Sequence, residues 1–167
     1  LLGNEKKIRD IALANAIDLD GLPIIDPQAE ENEDKRKEYA ELFFKKRNRR
    51  GVNLYESNKM INNRNNFGCM MVETGAADAM ISGLTKNYPD TIRPAIQIIG
   101  MEPGVKKIAG MYLLLTKKGP LFLADTTVNF NPTAEELADI TIMVAREVRN
   151  FSLTPRIAML SYSNFGS

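Results

Sequence analysis

Short apolar runs alternate along this chain with segments of helical periodicity, and this alternation restricts the fold more than any other feature. An apolar run at 79–83 precedes a helical segment at 87–99, and a helical segment at 131–151 precedes another apolar run at 156–161. Strands that alternate with helices form parallel sheets with the helices on the two faces. The sequence therefore predicts an α/β fold with a mostly parallel sheet in three-layer α/β/α lobes.

Three local signals refine this organisation. The apolar runs 107–116 and 120–128 flank a Lys-Lys-Gly turn, which is typical of a β-hairpin. Thr133 followed by Glu136 is a capping box and predicts a helix start. Pro94 falls inside a helical segment, where it should shift or kink the start of the helix. A change in composition at 102–104 is the best candidate boundary, and it predicts two lobes, 1–102 and 103–167.

The composition excludes several classes of function. With 22 Lys and Arg against 21 Asp and Glu, a globally basic nucleic-acid binder is not indicated. Because the chain has no His, it cannot supply a Ser-His-Asp unit or a His-ligated metal, and the single Cys69 excludes an internal disulfide. No apolar run approaches the roughly 20 residues of a membrane-spanning helix. We therefore expect a cytoplasmic protein without nucleic-acid, membrane or metal partners.

Small and hydroxyl side chains end three of the apolar runs. In open α/β sheets, ligands bind at the carboxyl ends of the strands. The candidates at those positions are Ser82, Gly83, Thr126, Ser161 and Ser163. Serine and glycine also end strands and form turns without any further role, and spacing alone favours this plainer interpretation.

Two arginines are candidates for binding an anion. Arg47 lies in a basic helix end before a glycine, where it can complement the helix dipole or bind phosphate through its planar fork. Arg93 follows the Ser-Gly turn and lies near a helix start and the predicted lobe boundary, where a cleft would open. Cys69 lies on an apolar helix between methionines and glycine, and core packing is the favoured interpretation for it.

Four motifs occur in a fixed order: MISG at 80–83, TIRPAIQII at 91–99, NPTAEELA at 131–138 and PRIAMLSYS at 155–163. Together they resemble the phosphate acetyltransferase/butyryltransferase family over nearly the whole chain. The resemblance implies two α/β lobes of the isocitrate/isopropylmalate dehydrogenase type, with coenzyme A and acyl phosphate in the cleft between them. Arg47 and Arg93 fall on the two phosphate-side arginines of the family, and Thr126 stands where the family often has a cysteine. The catalytic cluster of the family falls beyond Ser167, so no catalytic residue is assigned here.

The stretch Leu-Thr-Lys-Asn-Tyr at 84–88 departs from the His/Ser/Thr-rich pattern of true phosphotransacetylases. It resembles the phosphotransacetylase-like C-terminal domain of bacterial NADP-dependent malic enzymes. This resemblance implies a piece of a longer, homo-oligomeric protein that decarboxylates malate, with NADP and a divalent metal bound only in another domain. The chain itself would be a regulatory and assembly module that binds acetyl-CoA or a related metabolite.

Two alternatives stay open. One is an active phosphate acetyltransferase, which interconverts acetyl-CoA and acetyl phosphate. The other is a vestigial structural module that only dimerises through the apolar hairpin at 107–128.

Overall fold

A computed structural model describes residues 1–160 of the chain. Its contacts divide the chain into two compact units, one of Leu1–Gly100 and one that begins at Met101. Each unit is described separately below.

The first unit is built from helices. They are α1 (Glu5–Ala14), α2 (Glu33–Arg47), α3 (Leu54–Ile61), α4 (Arg64–Glu73) and α5 (Tyr88–Ile98), with short 3-10 helices at Glu30–Asn32 and Asn48–Arg50. Side-chain caps explain where two of these helices begin. At the start of α1 the Asn4 side chain accepts a hydrogen bond from the backbone N–H of Lys7, and at the start of α3 Asn53 forms a capping box with Glu56. Among them, α5 confirms the helical segment predicted at 87–99.

Aromatic and aliphatic side chains of four helices form the core of this unit. The fully buried members include Tyr39 and Phe43 on α2, Ile61 on α3 and Phe67 on α4. The rings of Tyr39 and Phe67 meet edge to face, with 5.1 Å between their centroids. The core therefore fixes α2 against α3 and α4. Helix α2 carries Arg47 and helix α4 carries Cys69, which the sequence analysis considered.

Gly68 is the point of closest approach between α4 and the chain segments that cross it. A Cβ at this position would lie 2.8 Å from Met80 Sδ and 2.9 Å from Leu2 Cδ1. We expect Gly68→Ala to lower the free energy of unfolding by about 1–3 kcal/mol, because the core must repack around the added methyl group. Urea unfolding followed by circular dichroism measures this change.

The matched test of that clash is a double-mutant cycle with Met80→Ala, which removes the nearest atom. The double variant should lose less stability than the sum of the two single variants. If the losses of stability of the two single variants add exactly in the double variant, the contact with Met80 is not the reason that this position requires glycine.

The second unit contains a hairpin and one long helix. Strands β1 (Met111–Thr116) and β2 (Gly119–Ala124) pair antiparallel, and α6 (Ala134–Asn150) follows. The hairpin and the capping box of Thr133 and Glu136 confirm the sequence prediction. Phe122 on β2 packs on Phe151 just after α6, with 5.4 Å between the ring centroids. One face of the hairpin therefore lies on the end of the helix.

The predicted sheet is the main difference between sequence and structure. The helices and the small sheet fit an α/β fold, but the mostly parallel sheet is not formed within residues 1–160. The regular sheet there is the antiparallel hairpin, and the parallel pairing is a single bridge between Leu2 and Ile25. The runs at 79–83 and 156–160 take no regular structure, and Ile81 and Leu160 are exposed. A strand is stabilised by hydrogen bonds to a neighbouring strand, and neither run has one in this part of the chain. The three-layer arrangement of the isocitrate/isopropylmalate dehydrogenase type stays a prediction.

Candidate anion-binding site

The helix that carries Arg93 continues through a proline. Because Pro94 has no N–H, it leaves the carbonyl of Asp90, four residues earlier, without its intrahelical donor. Asn65 Nδ2 on α4 donates a hydrogen bond to that carbonyl, with 3.3 Å between the two atoms. The predicted disruption therefore does not interrupt α5, because a side chain from another helix supplies the missing donor.

The same asparagine holds the Ser-Gly turn. Ser82 Oγ donates to Asn65 Oδ1 at 2.8 Å, so the Asn65 amide uses both its oxygen and its nitrogen. Ser82 and Gly83 are themselves exposed, and Gly83 has a φ of +127°, which favours glycine. Sequence reasoning missed Asn65. The signal that could have found a partner of this kind is the helical proline, whose free carbonyl requires a donor.

Arg47 and Arg93 have no ion-pair partner in the part of the chain that the structure describes. Arg93 is exposed, whereas Arg47 is half-buried and its Nε atom is fully buried without a hydrogen bond. A buried polar group without a partner costs about 1–3 kcal/mol. Three arginines are engaged: Arg9 with Glu5, Arg146 with Glu102, and Arg36 with the carbonyls of Pro27 and Ala29. Arg47 differs from the exposed arginines that also lack an ion pair, because its guanidinium is partly buried. The two predicted arginines are thus available to an anion from outside.

Lys46 connects the helices that carry these arginines. Its Nζ atom donates to the carbonyl of Ile98 at 2.5 Å and forms an ion pair with Glu73. The last turn of α2, which contains Arg47, therefore lies against the C-terminal end of α5, the helix that carries Arg93 at its middle. Through Asn65, the Ser82 turn is fixed to the first turns of the same helix. Along α5, the Ser82 turn thus lies near the start, Arg93 in the middle and Arg47 near the end, and we call Arg47, Ser82, Gly83 and Arg93 the arginine–serine cluster.

In the second unit, the loop after β2 is organised around the carboxylate of Asp125. Its Oδ1 atom accepts hydrogen bonds from the backbone N–H groups of Gly110 at 2.9 Å, Thr127 at 3.0 Å and Val128 at 3.1 Å. Its Oδ2 atom accepts from the backbone and side chain of Asn129. Burial raises the pKa of this carboxyl, but the hydrogen bonds to the charged form outweigh burial and hold the pKa well below its usual range.

The predicted site residue Thr126 is the next residue in this loop. Its Oγ1 atom is buried and has no hydrogen bond within the described part of the chain. A Cβ on Gly110 would lie 3.1 Å from that hydroxyl, so the absence of a side chain at Gly110 leaves room for the threonines of the loop. From the sequence, Asp125 at a strand edge is expected to be able to cap a backbone turn, and these hydrogen bonds confirm that expectation. The predicted residues Ser161 and Ser163 lie outside the described residues.

Cys69 is buried in the core of the first unit, as its apolar setting predicted. Burial raises the pKa of its thiol to about 11. Since the thiolate is the nucleophile, we expect alkylation by iodoacetamide at pH 8 to be at least about 100-fold slower than in the urea-unfolded chain. Mass spectrometry after timed quenching measures both rates. Equal rates in the folded and unfolded protein would contradict this assignment.

Residues 1–160 contain no group of His, Cys, Asp and Glu side chains arranged to hold a metal ion. No helix among them is both long and apolar enough to span a membrane.

The first unit thus presents two arginines, Arg47 and Arg93, that form no ion pair among the described residues, and a Ser-Gly turn that is held at the start of α5. The family model described as Phosphate acetyl/butaryl transferase matches residues 1–167. The phosphate acetyltransferase of Nitratidesulfovibrio vulgaris is 36% identical over 167 residues, which are 100% of this chain and 23% of that protein. The chain therefore belongs to the phosphate acetyl/butyryl transferase family.

Two further relatives show the range of the similarity. The NADP-dependent malic enzyme of Escherichia coli is 42% identical over 138 residues, which are 82% of this chain and 18% of that enzyme. The solved structure of EutD phosphotransacetylase from Staphylococcus aureus superimposes with a TM-score of 0.83 at 30% identity, covering 99% of this chain and 49% of that one. The chain thus spans a quarter to a half of the phosphate acetyltransferases it matches.

Proposed function

We propose that this chain forms the acyl-phosphate side of the active site of a phosphate acetyltransferase, which moves an acetyl group between phosphate and coenzyme A. The observation that carries the proposal is a pair of arginines without ion-pair partners among the described residues of a family member: Arg47 at the end of α2 and Arg93 in the middle of α5, two helices that Lys46 connects. The sequence by itself favoured the regulatory module of a malic enzyme. The relatives that match along the whole chain are phosphate acetyltransferases, and they support the transferase more strongly.

The arginines suit the charge that this reaction moves. The thiolate of coenzyme A attacks the carbonyl carbon of acetyl phosphate, a C–S bond forms, and the C–O bond to phosphate breaks with its electron pair on the leaving phosphate. Planar guanidinium forks hold phosphate oxygens through paired hydrogen bonds and stabilise the charge as it develops.

The test is an initial-rate assay on the full-length protein that carries this sequence. Acetyl phosphate and coenzyme A are supplied together, and the formation of the acetyl-CoA thioester is followed. The proposal predicts turnover that requires both substrates. Binding of either substrate without thioester formation would contradict it.

A second candidate rests on the similarity to the malic enzyme, which has the highest identity of the relatives reported above. In that case the cluster binds acetyl-CoA or a related metabolite and alters a distant oxidoreductase domain through a coupling free energy between two sites. Measuring malate oxidation with NADP, with and without acetyl-CoA, distinguishes the two candidates. An effect of acetyl-CoA on that rate, without any acetyl transfer, would favour the second. Homo-oligomer formation stays a prediction in both cases.

A further inference from the structure

We propose that Asn65 is a positioning residue for anion binding by the arginine–serine cluster. The proposal rests on the proposed function, and it assigns to Asn65 a role in binding rather than in stability alone. Asn65 contacts neither the arginines nor, in this account, the substrate. It acts through the two segments that it holds together.

The first step of the argument is the position of the two hydrogen bonds. Asn65 Oδ1 accepts from Ser82 Oγ at 2.8 Å, and Asn65 Nδ2 donates to the carbonyl of Asp90 at 3.3 Å. Ser82 belongs to the candidate turn, and Asp90 lies in the first turn of the helix that carries Arg93. One amide thus fixes the relative position of the two parts of the site.

The second step is that no other group described in the structure replaces this amide. The carbonyl of Asp90 has no intrahelical donor because Pro94 stands four residues later. The Asn65 side chain is buried, with an exposed fraction of 7%, so water has little access to complete its hydrogen bonds. Removing the amide therefore frees the Ser82 turn and the start of α5 together.

The third step is that the chain contains a matched control. Asn66 is the next residue on α4 and is buried to the same degree, with an exposed fraction of 6%. Its Nδ2 atom donates to the carbonyl of Met60 on α3 at 2.7 Å. Asn65 and Asn66 are thus alike in residue type, helix and burial, but only Asn65 contacts the predicted site.

The experiment compares Asn65→Ala with Asn66→Ala in the full-length protein. Urea unfolding should show the smaller loss of stability in Asn66→Ala, because the buried Asn66 Oδ1 atom has no hydrogen bond to lose. Only Asn65→Ala should raise the KM for acetyl phosphate and the calorimetric Kd for inorganic phosphate, by about ten- to a hundred-fold, because small displacements of binding groups weaken the site. The kcat at saturating acetyl phosphate should fall much less than kcat/KM.

A rescue variant separates positioning from folding. Pro94→Ala restores a backbone N–H that can bond to the carbonyl of Asp90 within α5. Combined with Asn65→Ala, it should recover part of the lost phosphate affinity. Equal KM and Kd values for Asn65→Ala and Asn66→Ala would overturn the proposal. A loss of affinity in Asn65→Ala that Pro94→Ala does not reduce would overturn it as well.

The outcomes also distinguish this proposal from the proposed function. If the unsubstituted protein binds phosphate but transfers no acetyl group, the transferase fails and the Kd comparison still decides the role of Asn65. If the unsubstituted protein transfers acetyl groups and the two variants have equal KM and Kd, only the role of Asn65 fails. If it binds no phosphate at all, both are overturned.

Discussion

Replacing Arg93 by alanine should lower kcat/KM for acetyl phosphate by about 10²- to 10³-fold in the full-length protein, the range found when one preorganised charge-stabilising donor is removed. Arg93 is exposed, has no partner among the described residues and follows a Ser-Gly turn that a buried asparagine fixes to its helix. Its removal therefore takes away a charge that nothing else in this part of the chain uses. Initial rates at varied acetyl phosphate measure the effect.

Two further variants identify the cause of that loss. Arg93→Lys keeps the charge but not the planar fork, so its activity should fall between those of the alanine variant and the unsubstituted protein. Arg50→Ala is the matched control, because Arg50 is an exposed arginine of the basic 3-10 helix that follows α2. It should leave the rate within about twofold, since substitutions at such surface positions have small effects. An Arg93→Ala variant that behaves like Arg50→Ala would contradict the assignment.

Replacing Asp125 by alanine should lower the stability of the second unit by about 1.5–3 kcal/mol, because several N–H donors lose a charged acceptor in a partly buried loop. The Asp125→Asn variant should lose less, since it keeps one oxygen but turns an amide nitrogen toward the donors of Asn129. Asp139→Ala is the control variant, because Asp139 is an exposed carboxylate of α6 for which no hydrogen bond is seen. Thermal unfolding of the three variants measures the differences.

The stability that Asp125 contributes should also depend on pH. Its pKa is lowered in the folded state, so its contribution is fully present above the unfolded pKa of about 4. The contribution is lost as the pH falls from there toward the folded pKa. The difference in stability between the unsubstituted protein and Asp125→Asn should therefore shrink steadily as the pH is lowered below about 4. A difference that stays constant at acidic pH would contradict the role of the ionised carboxylate.

The helices could be predicted because their signals are local. The Asn53–Glu56 and Thr133–Glu136 capping boxes each lie within four consecutive residues, and the Lys-Lys-Gly turn indicates the hairpin. The expected parallel sheet could not be judged in the same way. Whether the apolar runs at 79–83 and 156–160 become strands depends on partners far away in the chain, and neither has one among the described residues.

The same distinction between local signals and contacts of distant residues applies to the candidate site. Arg47, Arg93 and Thr126 could be found because their residue types and positions at the ends of elements suggest chemistry before any contact is known. Asp125 could be recognised as a candidate cap of a backbone turn, but its partner Gly110 could not, and Asn65 could not be found at all, because these hydrogen bonds span up to 25 residues of sequence. Asparagine on a helix and aspartate after a strand have many ordinary explanations. Only the folded chain shows which groups they hold.

One measurement tests the central claim most directly: acetyl-CoA formation from acetyl phosphate and coenzyme A by the full-length protein and its Arg93→Ala variant, side by side and with matched folding. The account predicts turnover by the unsubstituted protein and a loss of about 10² or more in the variant. Binding without turnover, or equal turnover by both proteins, would contradict it.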